Sequence, residues 1–290
     1  MYDLIHIGYQ KCGSTFFQKA VFPSLKQVDL TVASDFVQGL MYYDDPVYQM
    51  FSTPTNKTHE PQNSGASGRI RVLSSEIITH RYHAYTRVAD RLKHLSPDAK
   101  ILVIIRNQPS FLRSAYMHRI LWGYGCTFER FMNNLSSEEG AMFGINYFTY
   151  LSEYKERFEN VKVVLFEELF KEETLQDVLS FVGIPKGPLP FDRSKKVNPN
   201  YSPFTHKIAL TVNKYSGTKG QYFDPMEIRY YNMLRRFGSY LDRAYYKFYP
   251  DSKLKISDDC VRYIKAYYAK DNEKLQEWFD NDIRELGYHY

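Results

Sequence analysis

Continuous apolar runs, rather than alternating ones, mark the first two thirds of the chain. Leu4–Ile7, Leu30–Ala33, Arg71–Ser75, Ile101–Ile105 and Val161–Phe166 each read as a short strand. Runs without polar alternation suit parallel strands covered on both faces. Between them the apolar positions take helical spacing. Phe16, Phe17, Ala20, Val21 and Leu25 follow the first strand, and Tyr85–Leu95 follows the third and is stopped by Ser96-Pro97. Pro109 opens a helix through Leu112 and Tyr116 to about Trp122; Tyr147–Phe158 and Leu175–Val182 complete the series, the last ended by Gly183. Strands alternating with helices predict an α/β fold, a parallel sheet flanked by helices. Residues 42–68 read as a polar surface excursion and 185–204 as a Pro/Lys/Asn loop; 226–248 and 258–279 read as two Tyr-rich helices. The chain is therefore expected to form one domain over 1–290, with a core at 1–184 and a loop and helical C-terminal extension at 185–290.

In such sheets ligands bind at the carboxyl ends of strands. Three polar groups fall there: the loop after Ile7, Glu76 and Arg106. The first is Gly8-Tyr9-Gln10-Lys11-Cys12-Gly13-Ser14-Thr15-Phe16. A glycine-rich turn from strand to helix cradles phosphate, because the first helical N–H groups have no partner within the helix. Gly8 and Gly13 have P-loop spacing, but Ser14 follows Gly13 where a nucleotide hydrolase carries lysine. The lysine lies inside the loop instead, at Lys11.

Composition adds little constraint. Net charge is +5, enough for anionic ligands and too weak and scattered to argue for nucleic acid. Tyr (26) and Phe (20) are frequent; many tyrosines suit a groove for sugars or aromatic groups, and half-buried positions on helix surfaces account for most of them. Cys12, Cys126 and Cys260 have neither metal-ligand spacing nor a disulfide framework, which fits a reducing compartment. Cys12 stands where an anion loop favours the thiolate, and it is read as loop filler. With no leader before Leu4 and no membrane-spanning run, the expected location is cytoplasmic, or that of a soluble form of a membrane-anchored enzyme. The sequence leaves the oligomeric state open.

The strongest strand ends in Arg106-Asn107-Gln108-Pro109, and Ser114 lies eight positions after Arg106. A guanidinium and a hydroxyl so spaced suit a phosphate. Together, 5–16 and 106–118 resemble the sulfotransferases that use 3′-phosphoadenosine-5′-phosphosulfate (PAPS), particularly carbohydrate-type and bacterial members. Val163–Leu169, Phe181–Ile184, Tyr268–Leu275 and Gly287-Tyr288 are similar to further segments of these enzymes. One departure is Gln108, which separates Pro109 from the Arg106-Asn107 pair.

The resemblance implies sulfuryl transfer to an acceptor hydroxyl, on a carbohydrate or glycolipid, without a metal. Gly8, Lys11, Cys12, Gly13, Ser14, Thr15 and Phe16 would form the 5′-phosphosulfate loop, with backbone N–H groups from 13–16 and hydroxyls from Ser14 and Thr15. Arg106 and Ser114 would take the 3′-phosphate, and Lys195, Lys196, Asn198 and Ser202 would border the nucleotide. Lys11 would also meet charge developing in the transition state. Glu76 is the first candidate for general base, with His80 and Asp35 as alternatives; His6 and His118 are read as structural. Two other readings stay open, a P-loop nucleotide kinase or NTPase and a non-catalytic nucleotide-binding module.

Overall fold

The computed structural model describes residues 1–32, 37, 68–80, 85–121, 123–137, 143–192, 202–215, 238, 240–249 and 254–290. Five parallel strands form one sheet: β1 (Leu4–Gly8), β2 (Val28–Thr31), β3 (Ile70–Ser75), β4 (Lys100–Ile105) and β5 (Val161–Leu165), in the order β2-β3-β1-β4-β5. The alternation of runs and helical spacing is thus an α/β fold with helices around the sheet. β1 lies in the middle, with Leu4, Ile5 and Ile7 wholly buried.

Register explains where chemistry collects. Ile7 pairs with Ser75, Gly8 with Ile104, and Ile105 with Leu165. Glu76 and Arg106 therefore leave the sheet on either side of the loop after Gly8. After β3 the chain passes over β1 to β4, so this edge is the topological switch point, where α/β sheets bind ligands.

α1 runs from Ser14 to Ser24 with a π-helical turn at Phe17–Val21. Pro23 has no N–H for the Lys19 carbonyl and its ring would crowd that oxygen, so the widened turn falls where a regular helix would clash. α2 (Tyr85–Leu95), α3 (Gln108–Leu121), α5 (Tyr147–Arg157) and α6 (Glu172–Val182) match the expected helices. α4 (Phe128–Ser137) and α7 (Pro203–Tyr215) were not anticipated. The expected second strand lies two residues earlier, at Val28–Thr31. In the extension, 240–248 is helical, and α8 (Asp258–Gln276) ends three residues short of the expected 279.

The extension is bound into the core. Asp271 of α8 accepts the Phe148 and Thr149 N–H groups at 2.9 and 3.0 Å and the Thr149 hydroxyl at 2.7 Å, capping the start of α5. Tyr147, Tyr150, Tyr154, Tyr268 and Tyr288 are among the largest fully buried side chains, so these tyrosines are core, while Tyr240, Tyr249, Tyr263, Tyr267 and Tyr290 are exposed. Among the described residues no helix is long and apolar enough to cross a membrane.

Candidate active site

The loop after β1 is shaped by two left-handed residues, Lys11 (φ 62°) and Gly13 (φ 88°). Gly13 precedes the first turn of α1, and a β-carbon there would lie 2.8 Å from Leu169 Cδ2. A β-carbon on Gly8 would lie 2.5 Å from Ser14 Oγ and 3.1 Å from Glu76 Cγ. Close approach, not conformation alone, therefore fixes glycine at 8. Left-handed turns of this kind point successive N–H groups into one concavity.

Some loop expectations need correction. Phe16 already donates its N–H to the Gly13 carbonyl at 2.9 Å, so it has none for a ligand. The Ser14 hydroxyl is buried and donates to the Tyr9 carbonyl at 3.1 Å, bracing the loop from inside. Cys12 is wholly buried, and burial pushes its thiol well above the usual range. It is filler, as expected, but the predicted drop toward thiolate is reversed.

Glu76 follows β3 and packs over Gly8. Burial raises its carboxyl, while the Lys11 charge and a Ser14 hydrogen bond pull the other way. Burial lowers the Lys11 ammonium, with Glu76 opposing and Arg106 reinforcing the shift. The two side chains thus share one partly desolvated space. Thr79 lies in the 3₁₀ turn Ile77–His80, and its hydroxyl donates to the Gly8 carbonyl at 3.0 Å. The His80 side chain lies outside the described residues, as do Asp35, Lys195, Lys196 and Asn198.

Arg106 leaves β4 toward the same loop. Its Nη1 donates to the Lys11 carbonyl at 3.1 Å, and its guanidinium lies 4.5 Å over the Phe166 ring. Its Nε is buried and meets no hydrogen-bond partner among the described residues. A buried unpartnered donor is costly, and an anion would satisfy it. Ser114 stands two turns into α3 and is half-buried. Ser202, by contrast, is wholly buried as a helix cap: its Oγ accepts the Thr205 N–H at 3.2 Å, and its own N–H goes to Asp242.

Arg113 escaped the sequence reading, and the surroundings of His118 were not legible in it. Arg113 is partly buried beside Arg106, and burial and that neighbouring charge both lower its pKa. His118 was read as structural, yet it shares electrostatic reach with Lys11. Burial chiefly, then Lys11 and Arg119, push its pKa down to about 4, so it is neutral at pH 7. Its place one turn beyond Ser114 on α3 was the available signal. His6 is structural: it is buried under Phe17 and Phe22, contacts Ser74 Oγ at 2.7 Å, and burial lowers its pKa to about 3.

Lys11, Arg106 and Arg113 thus gather at the carboxyl ends of β1 and β4, with the Glu76 and Glu167 carboxylates within electrostatic reach. The fold is α/β, and its cationic side chains collect at one end of the parallel sheet. The family model described as "Sulfotransferase domain" matches residues 2–225, and the chain belongs to that family. It is an enzyme of the sulfotransferase class, one that transfers sulfuryl groups. Among solved structures, the chain resembles a sulfotransferase from Alicyclobacillus acidocaldarius at 17% identity with a TM-score of 0.64, covering 99% of each chain. A search of curated proteins finds no match.

Proposed function

We propose that the donor is PAPS and the acceptor a carbohydrate hydroxyl, in the cytoplasm. The observation that carries the donor is the pairing of two anion anchors. The loop around Lys11 suits a 5′-phosphosulfate, and the half-buried Arg106, whose buried Nε meets no hydrogen-bond partner among the described residues, suits a second phosphate. The acceptor class rests on the resemblance to carbohydrate-type enzymes, with which a tyrosine-rich chain agrees.

When bound, PAPS supplies an activated sulfuryl group for in-line transfer. By analogy with phosphoryl transfer, the protein's part is positioning and charge stabilisation. Gly13, Ser14 and Thr15 direct N–H groups at the anion, and Thr15 adds a hydroxyl. Lys11 neutralises charge growing on the leaving oxygen. Arg106 and Ser114 hold the 3′-phosphate. Glu76 takes the proton of the acceptor hydroxyl, and burial makes it a stronger base than an exposed glutamate.

The test is an acceptor panel with labelled PAPS, in which label should pass to a carbohydrate hydroxyl. Label on an amine or a phenol would overturn the acceptor class. Binding of adenosine 3′,5′-bisphosphate without turnover on any acceptor would favour a binding module. The kinase reading is disfavoured by Ser14 where a lysine belongs and by Arg106 where β4 would carry an acidic Mg²⁺ ligand.

A further inference from the structure

The peptide that carries Arg106 is gripped by distant parts of the chain. Tyr147 of α5 donates its hydroxyl to the Arg106 carbonyl at 2.7 Å. Glu167, just past β5, accepts the Asn107 N–H at 3.2 Å and the Asn107 side-chain N–H at 2.8 Å through one oxygen. Its other oxygen accepts the Tyr288 hydroxyl at 3.1 Å. Asn107 also donates to the Leu286 carbonyl at 2.9 Å, and its own oxygen caps α3 through the Ser110 N–H at 2.9 Å. The tail lies so close that a β-carbon on Gly287 would come 3.2 Å from Asn107 Cγ.

This network is directional. Asn107 donates to both Glu167 and the tail while accepting from α3. Glu167 is largely buried, and burial raises its pKa while the bonds from Asn107 and Tyr288 favour its ionised form. Glu167 is also within electrostatic reach of Arg106. The network's neighbours on the chain are Arg106, whose Nη1 reaches the loop, and Phe166, on which the guanidinium rests.

We infer that Glu167, Asn107 and Tyr288 are positioning residues: through them the C-terminal tail sets the orientation of Arg106, and so the discrimination between nucleotides with and without a 3′-phosphate. The inference rests on the proposal that Arg106 takes that phosphate. It assigns the end of the chain a part in donor selectivity, exerted through Asn107 rather than by contact.

The experiment measures Kd for adenosine 3′,5′-bisphosphate and for 5′-AMP by calorimetry in the full chain. Variants are Asn107→Asp, Tyr288→Phe and, as reference, Arg106→Ala. Asn107→Asp keeps the α3 cap but faces Glu167 and the Leu286 carbonyl with an acceptor. Tyr288→Phe keeps the ring and removes one bond. The ratio of the two Kd values should fall about tenfold in Asn107→Asp and a few-fold in Tyr288→Phe, with 5′-AMP affinity nearly unchanged, since polar groups in one network couple. A purely structural clamp would lower the melting temperature and leave the ratio as in wild type, which overturns the inference. If Asn107→Asp does not fold, an unchanged ratio in Tyr288→Phe overturns it alone. An unchanged ratio in Arg106→Ala sinks the 3′-phosphate reading and the inference together. A ratio lost in Arg106→Ala but kept in the other variants sinks the inference only.

Discussion

The loop after β1 and the turn after β4 meet at a hydrogen bond from Arg106 Nη1 to the Lys11 carbonyl, yet they are held in different ways. The loop is shaped mainly by its own residues. Two left-handed positions, a glycine that admits the Ser14 hydroxyl and a bond from Ser14 back to Tyr9 set its path. The turn is held from outside, by Tyr147, Glu167, Leu286 and Tyr288, residues 40 or more positions away in the chain. Distant residues also brace the loop's local path, Thr79 at the Gly8 carbonyl and Arg106 at the Lys11 carbonyl. A remote clamp ties ligand selectivity to the whole fold.

The largest effect expected is on the base. Glu76→Gln keeps the shape over Gly8 and removes the basic site, so kcat should fall roughly 100- to 10,000-fold, the usual worth of a positioned base. Donor affinity and melting temperature should stay near wild type. Asp35→Asn and His80→Asn, run in parallel, test the other candidates; a dead variant there beside an active Glu76→Gln would move the role. The pH profile adds a sign. The base works ionised and burial raises its pKa, so the acid limb of kcat/KM should lie above the ordinary glutamate range. Lys11 pulls that pKa down, so Lys11→Ala should move the limb to higher pH. A limb that shifts downward would separate Lys11 from Glu76.

Lys11→Ala should also lower kcat by about a hundredfold, the scale for one preorganised donor, with a smaller effect on donor binding. Single-turnover rates measure this directly; rates near wild type would remove Lys11 from the chemical step. Arg106→Ala should do the reverse. A charge-assisted contact is worth about 1.5–3 kcal/mol, so affinity for adenosine 3′,5′-bisphosphate should drop at least tenfold relative to 5′-AMP. If the loop and the turn divide the work, these two variants will fail in different parameters. Equal losses in kcat and Kd from both would erase the division.

The same contrast explains what was legible in the sequence. The strand runs, the glycine spacing, Lys11 and the strand-end places of Glu76 and Arg106 could be read because each depends on near neighbours or on a simple period. The support of Arg106 could not, since Glu167, Leu286 and Tyr288 meet Asn107 only once the sheet and α8 are formed. The electrostatic reach between His118 and Lys11 was not legible for a related reason: it follows from how α3 packs beside the loop. α4 and α7 escaped because a long turn region hid one and the helical spacing of the other follows a Pro/Lys/Asn loop. Phe16 and Ser14 show the limit even in the loop, where residue type does not reveal whether an N–H or hydroxyl is already engaged.

The smallest effect provides the finest comparison. Gly13 and Gly287 have nearly the same backbone, φ 88° and 91°, and each borders one of the two elements. Alanine in a left-handed conformation costs roughly 1–2 kcal/mol at either site. For a chain of this size that is a fall of about 2–8 °C in melting temperature. The contacts then separate them. At 13 the new methyl would crowd Leu169 Cδ2 at 2.8 Å and move the start of α1; at 287 it would press on Asn107 at 3.2 Å. Gly13→Ala should therefore lose turnover, whereas Gly287→Ala should keep most of it and weaken adenosine 3′,5′-bisphosphate against 5′-AMP. Matching thermal losses with these opposite functional losses would show that stability and site geometry are separable here. If both variants lose turnover and selectivity alike, the loop and the turn move as one body, connected through the bond between Arg106 and Lys11.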